Sequence, residues 1–93
     1  MILSFKCKDT YALFRGQRPA RFLAIASVAE RKLAQLDAAA TLSFLRSPPG
    51  NMLEALKGDR LGQYSIRINK QWRVCFAWTD GGPVDVEIVD YHD

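Results

Sequence analysis

Two hydrophobic periods divide the chain. From Phe22 onward, Phe22, Ile25, Ala26, Ala29, Leu33, Leu36 and Ala40 recur at spacings of three and four, which gives a helix one apolar stripe. With Pro19 suited to a first helical turn, the pattern predicts a long amphipathic helix over about residues 19–39. Its other face carries Glu30, Arg31, Lys32 and Gln35. Upstream, Ile2–Phe5 reads as a short strand, and Asp9 as the cap of a short helix from Thr10 to Arg15 that Gly16 ends. Downstream, Thr41 caps a further turn through Leu45. Ser47-Pro48-Pro49-Gly50-Asn51 then closes the helical half, because consecutive prolines cannot continue a helix.

After residue 60 the period becomes two. Tyr64, Ile66 and Ile68 alternate with Ser65, Arg67 and Asn69; Trp72, Val74, Phe76 and Trp78 with Arg73, Cys75 and Ala77; Val84, Val86 and Ile88 with Asp85, Glu87 and Val89. Each run is a strand with one apolar face. The links Asn69-Lys70 and Asp80-Gly81-Gly82-Pro83 are short and of turn composition, so the strands form an antiparallel meander whose edge the N-terminal strand joins. The expected fold is α+β, with N-terminal helices packed on one face of a twisted, mainly antiparallel sheet of about four strands. Trp72 and Trp78, in phase with Val74 and Phe76, belong to the core.

Length and composition narrow the function classes. A chain of 93 residues predicts a single domain, residues 1–93, without room for a separate cofactor domain. The longest near-apolar run, Phe22–Ala29, is far shorter than a bilayer span, and no charged n-region followed by an apolar h-region opens the chain. The sequence therefore predicts a cytoplasmic protein with no membrane partner. Cys7 and Cys75 lie far apart without a CxxC or a nearby His pair. Neither a disulfide framework nor a metal site is indicated, and no cofactor is expected.

A net charge of +3 names no partner, but its distribution is informative. Residues 1–50 hold eight bases and three acids, residues 51–73 five bases and two acids, and residues 74–93 five acids and no base. If Trp72, Val74 and Phe76 face the helices, pleating puts Arg73 and Cys75 on the other side with Ser65 and Arg67. Lys57, Arg60 and Lys70 add charge nearby, while Asp90-Tyr91-His92 ends the last strand. Guanidinium forks match phosphate oxygens, lysine supplies a point charge, and tyrosine stacks on an unpaired base. These ingredients suit single-stranded RNA.

The same residues resemble a family. Leu53-x-x-Leu56-Lys57-Gly58-Asp59-Arg60, Tyr64-Ser65-Ile66-Arg67-Ile68-Asn69, Trp72-Arg73-Val74-x-Phe76 and the ending Val89-Asp90-Tyr91-His92, with Ser4-Phe5-Lys6 at the start, are similar to HigB-type toxins of the RelE/ParE superfamily. The resemblance implies a RelE-like fold. It also implies a bacterial type II toxin, an mRNA interferase that enters the A site of the 70S ribosome, cuts the mRNA there and inhibits translation. The implied partner is a HigA-type helix-turn-helix antitoxin, through which alone the toxin would meet operator DNA. Carried over residue by residue, the implied catalytic set is Lys57, Arg73, Asp90, Tyr91 and His92. One position departs from the pattern: some relatives have a histidine just before the Leu-Lys-Gly motif, where this chain has Glu54. Glu54 or Asp90 would then stand in as base, or activity would be weaker.

Metal-free RNA cleavage needs a base for the 2′-hydroxyl proton, cations for the charge building on the phosphoryl oxygens, and an acid for the departing 5′-oxygen. The expected roles are Arg73 and Lys57 for the charge, His92 for acid/base transfer, Asp90 as its partner and Tyr91 for the scissile nucleotide. Arg60, Arg67, Lys70, Lys6 and Lys8 are the expected RNA contacts, Lys6 and Lys8 with Arg15, Arg18 and Arg21 meeting ribosomal RNA phosphates. The alternative within the superfamily is a toxin that blocks translation or gyrase without cutting.

Overall fold

A computed structural model describes residues 1–91. Helix α1 spans Lys8–Phe14, a 3-10 stretch Ala20–Ile25 leads into helix α2 over Ala26–Ala38, and a second 3-10 turn covers Leu42–Arg46. Strands β1 (Glu54–Ala55), β2 (Gln63–Arg67), β3 (Trp72–Thr79) and β4 (Gly82–Asp90) form one antiparallel sheet in chain order. This is the expected α+β arrangement, with the helices on one face.

The expected long helix is divided: residues 20–25 wind as a 3-10 stretch before the α-helix begins at Ala26. Tight i+3 winding is common at helix N-termini. Helix α1 begins earlier than expected, at Lys8, with Cys7 in the capping position and no side-chain cap. Asp9 instead lies in the first turn, where a carboxylate also suits the helix dipole, 3.9 Å from Arg21. At the other end Gly16, with φ +91°, donates to the Leu13 carbonyl and Gln17 to that of Ala12. This left-handed Schellman close is the stop expected of that glycine. Thr41 caps as expected, its hydroxyl accepting from the Phe44 amide at 3.3 Å.

Between the layers lie Leu13, Phe22, Ala29, Leu33, Leu36 and Leu45 from the helical side and Ile66, Val74, Phe76, Val86 and Ile88 from the sheet, all buried. Each large side chain removed from water contributes about 1.5–3 kcal/mol. Trp72 and Trp78 pack against this core half-buried, Trp72 edge-on to Phe22 with centroids 5.7 Å apart. Lys32, expected on the solvent face of α2, is instead buried. Its spacing is that of a polar residue, but the Pro48–Asn51 loop meets that side of the helix and Asn51 receives its ammonium.

The N-terminal segment joins the outer edge of β4 through a single parallel bridge, Phe5 to Val86, rather than as a full strand. Val86 donates to the Ser4 carbonyl at 3.1 Å and Ile88 to the buried Thr10 hydroxyl at 3.0 Å, so α1 completes what the short segment leaves open. A bulge between β3 and β4 also alters the expected alternation. Asp85 adopts φ +54°, and beyond it Val84 pairs with Ala77 while Pro83 pairs with Trp78. Val84 therefore falls out of phase with Val86.

Candidate functional site

The sheet face away from the helices carries ordered rows. Glu54, Ser65, Cys75 and Glu87 line up across β1–β4, and beside them run Arg67, Arg73 and Val89. The expected company of Arg73, Cys75, Ser65 and Arg67 thus exists, but their face is only partly open. Ser65 and Cys75 are each 0% exposed. Arg60, in a 3-10 turn of Gly58–Arg60, reaches over the row to Glu87 at 3.0 Å and also bonds Gln63 at 3.1 Å. Beneath it, burial pushes the Cys75 thiol up to about 11, against the pull of the Arg60 charge. Cys75 is therefore a buried, protonated thiol with little reactivity.

Arg73 is built into place. Its Nε donates to Ser65 Oγ at 2.6 Å and its Nη2 to the Met52 carbonyl at 2.7 Å. The Tyr91 ring stands 6.0 Å from the guanidinium carbon, within cation–π range. Among the described residues, Nη1 makes no hydrogen bond. A cleft of about 410 Å³ opens here, lined by Met52, Glu54, Arg67, Asn69, Lys70, Arg73 and Tyr91. A neighbouring hollow of about 360 Å³ is lined by Glu54, Ala55, Leu56, Lys57 and Tyr91. Glu54 and Tyr91 border both, with the arginines on one side and Lys57 on the other.

Other expected residues stand elsewhere. Asp90 pairs with Trp72 in the register, on the pleat opposite Arg73, and accepts from Gln71 Nε2 at 3.1 Å. Arg60 and Lys6 both turn to Glu87, Lys6 at 3.8 Å, and Lys8 is exposed at the start of α1; none of the three lines the cleft. Arg15 donates to the Tyr11 hydroxyl at 2.7 Å, and Arg18 pairs with Glu30 at 3.1 Å. His92 lies outside the described residues. The expectation of a tail imidazole meeting the cations falls on that residue.

Two contributors carried no signal in the sequence pattern. Met52, with φ +46°, offers its carbonyl to Arg73 from a left-handed turn that a non-glycine residue rarely adopts. Asn51, fully buried just before it, accepts the Arg67 amide on its own carbonyl at 2.6 Å. Its place after Pro48-Pro49-Gly50 marked a loop but not a buried anchor.

Residues 4–92 match the family model of HigB-like toxins, described as the RelE-like toxin of the type II toxin–antitoxin system HigB. The chain belongs to this family. Among its relatives is Toxin HigB-1 of Vibrio cholerae serotype O1, 43% identical over 83 residues that cover 87% of each chain. Endoribonuclease HigB of Proteus vulgaris is 40% identical over 40 residues, 43% of this chain and 44% of that one. In fold, the HigB-like chain is similar to the YoeB dimer from Staphylococcus aureus, with TM-score 0.60 and 20% identity over 99% of this chain and 95% of that chain. Membership in a toxin–antitoxin family implies an antitoxin as partner.

Proposed function

We propose that this HigB-like toxin is an endoribonuclease that cuts mRNA in the ribosomal A site. The observation that carries the reading is the anchored Arg73 guanidinium in a cleft shared with Arg67, Lys70, Glu54 and Tyr91. The name of the Proteus vulgaris relative, Endoribonuclease HigB, supports the same class of reaction. In the proposed mechanism a base removes the 2′-hydroxyl proton, that oxygen attacks the adjacent phosphorus, and the bond to the 5′-oxygen breaks as an acid returns a proton to it. Arg73 and Lys57 balance the charge on the phosphoryl oxygens, where one positioned donor is worth about 10²–10³ in rate. Tyr91, between the two hollows, stacks on the scissile nucleotide. Glu54 faces the cleft while Asp90 sits on the opposite pleat, which favours Glu54 as the base. His92, following Tyr91 in the chain, is the proposed acid. An ordinary histidine titrates near pH 6.5, so both of its forms exist in the cell.

The ribosome is proposed to fix the mRNA conformation, and a HigA-type antitoxin to hold the toxin inactive. Mapping mRNA 5′ ends after brief induction, with the parental chain and with His92→Ala, tests the reading. New ends within codons on translated messages are expected from the parent. His92→Ala should produce them about 10²–10⁴-fold more slowly, the usual worth of acid/base help. Arrested growth with intact transcripts would refute cleavage and mark a toxin that only blocks. Equal cutting by His92→Ala would remove that residue from the chemistry.

A further inference from the structure

Lys32 is a buried charge that the proposed chemistry leaves unused. It lies in α2, 4% exposed, and its ammonium donates to Asn51 Oδ1. Among the described residues no carboxylate lies within ion-pair distance of it. Burial and the neighbouring Arg31 charge lower its pKa from the ordinary value. A buried ammonium without a carboxylate carries a desolvation cost that one amide oxygen offsets only in part, so stability alone is a weak reason for a lysine here. What its partner holds gives a better one.

Asn51 is gripped on several sides. Its Nδ2 donates to the Leu45 carbonyl at 3.1 Å, its amide to the Pro48 carbonyl at 3.3 Å, and its own carbonyl accepts the Arg67 amide. The next residue is Met52, whose left-handed turn presents the carbonyl that takes Arg73 Nη2. We propose that Lys32 is a positioning residue of the phosphate-binding cleft: its ammonium fixes Asn51, Asn51 fixes the turn at Met52, and the Met52 carbonyl aims Arg73. The catalytic part of this inference rests on the cleavage proposed above; the aiming of Arg73 does not.

Lys32→Met keeps an unbranched side chain one atom shorter and removes the donor. Two readouts follow it: the Arg73 Nε–H resonance, assigned by its loss in Arg73→Lys, and single-turnover cutting of ribosome-bound mRNA. In folded Lys32→Met the resonance should shift and broaden as the Ser65 bond loosens. The maximal rate should fall about 10- to 100-fold with KM little changed, as expected when a reacting group is misplaced by up to an ångström. Lys32→Gln, which retains a donor, should recover part of both and serves as the reading if Lys32→Met does not fold. A folded variant with the resonance unmoved, or with the parental rate in an active system, overturns the proposal. So does failure of both variants to fold, which would assign Lys32 to stability alone. If the resonance moves while the parental chain cuts no RNA, the positioning stands and the cleavage reading falls.

Discussion

Arg73→Lys separates charge from geometry at the cleft. Lysine keeps the positive charge but cannot donate to Ser65 Oγ, the Met52 carbonyl and a phosphate from one planar fork. One positioned donor to a developing oxyanion is worth about 2.7–4 kcal/mol, or 10²–10³ in rate. Because the charge is retained, the loss for Arg73→Lys should lie near the lower figure, about 10², and Arg73→Ala should approach 10³. Stability should fall too. Ser65 is fully buried, and its hydroxyl loses a charge-assisted partner, at a cost of about 1–3 kcal/mol. The Met52 carbonyl lies on the exposed side and adds little. For a chain of this size each kcal/mol lowers the melting midpoint by about 4–8 °C. Single-turnover cleavage on programmed ribosomes at saturating toxin, together with urea unfolding, reads both effects. Parental rates in Arg73→Lys would refute the fork as the source of catalysis, and unchanged unfolding in both variants would refute the anchoring.

Thr10→Val deprives the buried Ile88 amide of its acceptor and should cost about 1–3 kcal/mol in urea unfolding, while Thr10→Ser should stay near the parent; equal stability of the two variants would show that the bond contributes nothing. Cys75 gives a dependence on pH. Its thiol is raised to about 11 in the fold from an ordinary 9.0, so the unfolded chain ionises first and the native state is favoured fully only below about pH 9. That contribution, on the order of 2–3 kcal/mol, should be lost as pH rises from about 9 through 11. The urea stability gap between the parent and Cys75→Ala should therefore narrow between pH 8 and 10.5, and a constant gap would contradict the burial argument.

The meander and its helical cover were legible because they depend on many residues in agreement: seven stripe positions in the helical half and three alternating runs after residue 60. The departures come from single residues answering to distant partners. Nothing in the spacing of Lys32 distinguishes it from Arg31, yet one is buried and the other exposed, because the loop after two prolines happens to end at Asn51. Nothing in the alternation of β4 marks Asp85 as the residue that turns left-handed within the strand, where the Ser4 hydroxyl, 81 residues away, accepts its amide at 2.9 Å. At the site, the W-R and L-K-G-D-R segments pointed to Arg73 and Lys57, both of which border the paired hollows. Charge alone did not separate Arg67 and Lys70, which line the cleft, from Arg60, which spans the sheet to Glu87.

The outward amides of Val86 and Ile88 are already spoken for by Ser4 and Thr10, which closes one flank of the sheet to further pairing. On the opposite flank, among the described residues, only the two-residue strand Glu54–Ala55 is left, one of its residues acidic. Stacking of one molecule on another by edge-to-edge hydrogen bonding therefore has almost no template to start from. A small basic protein made in quantity should on this account tolerate high concentration without forming fibrous aggregates.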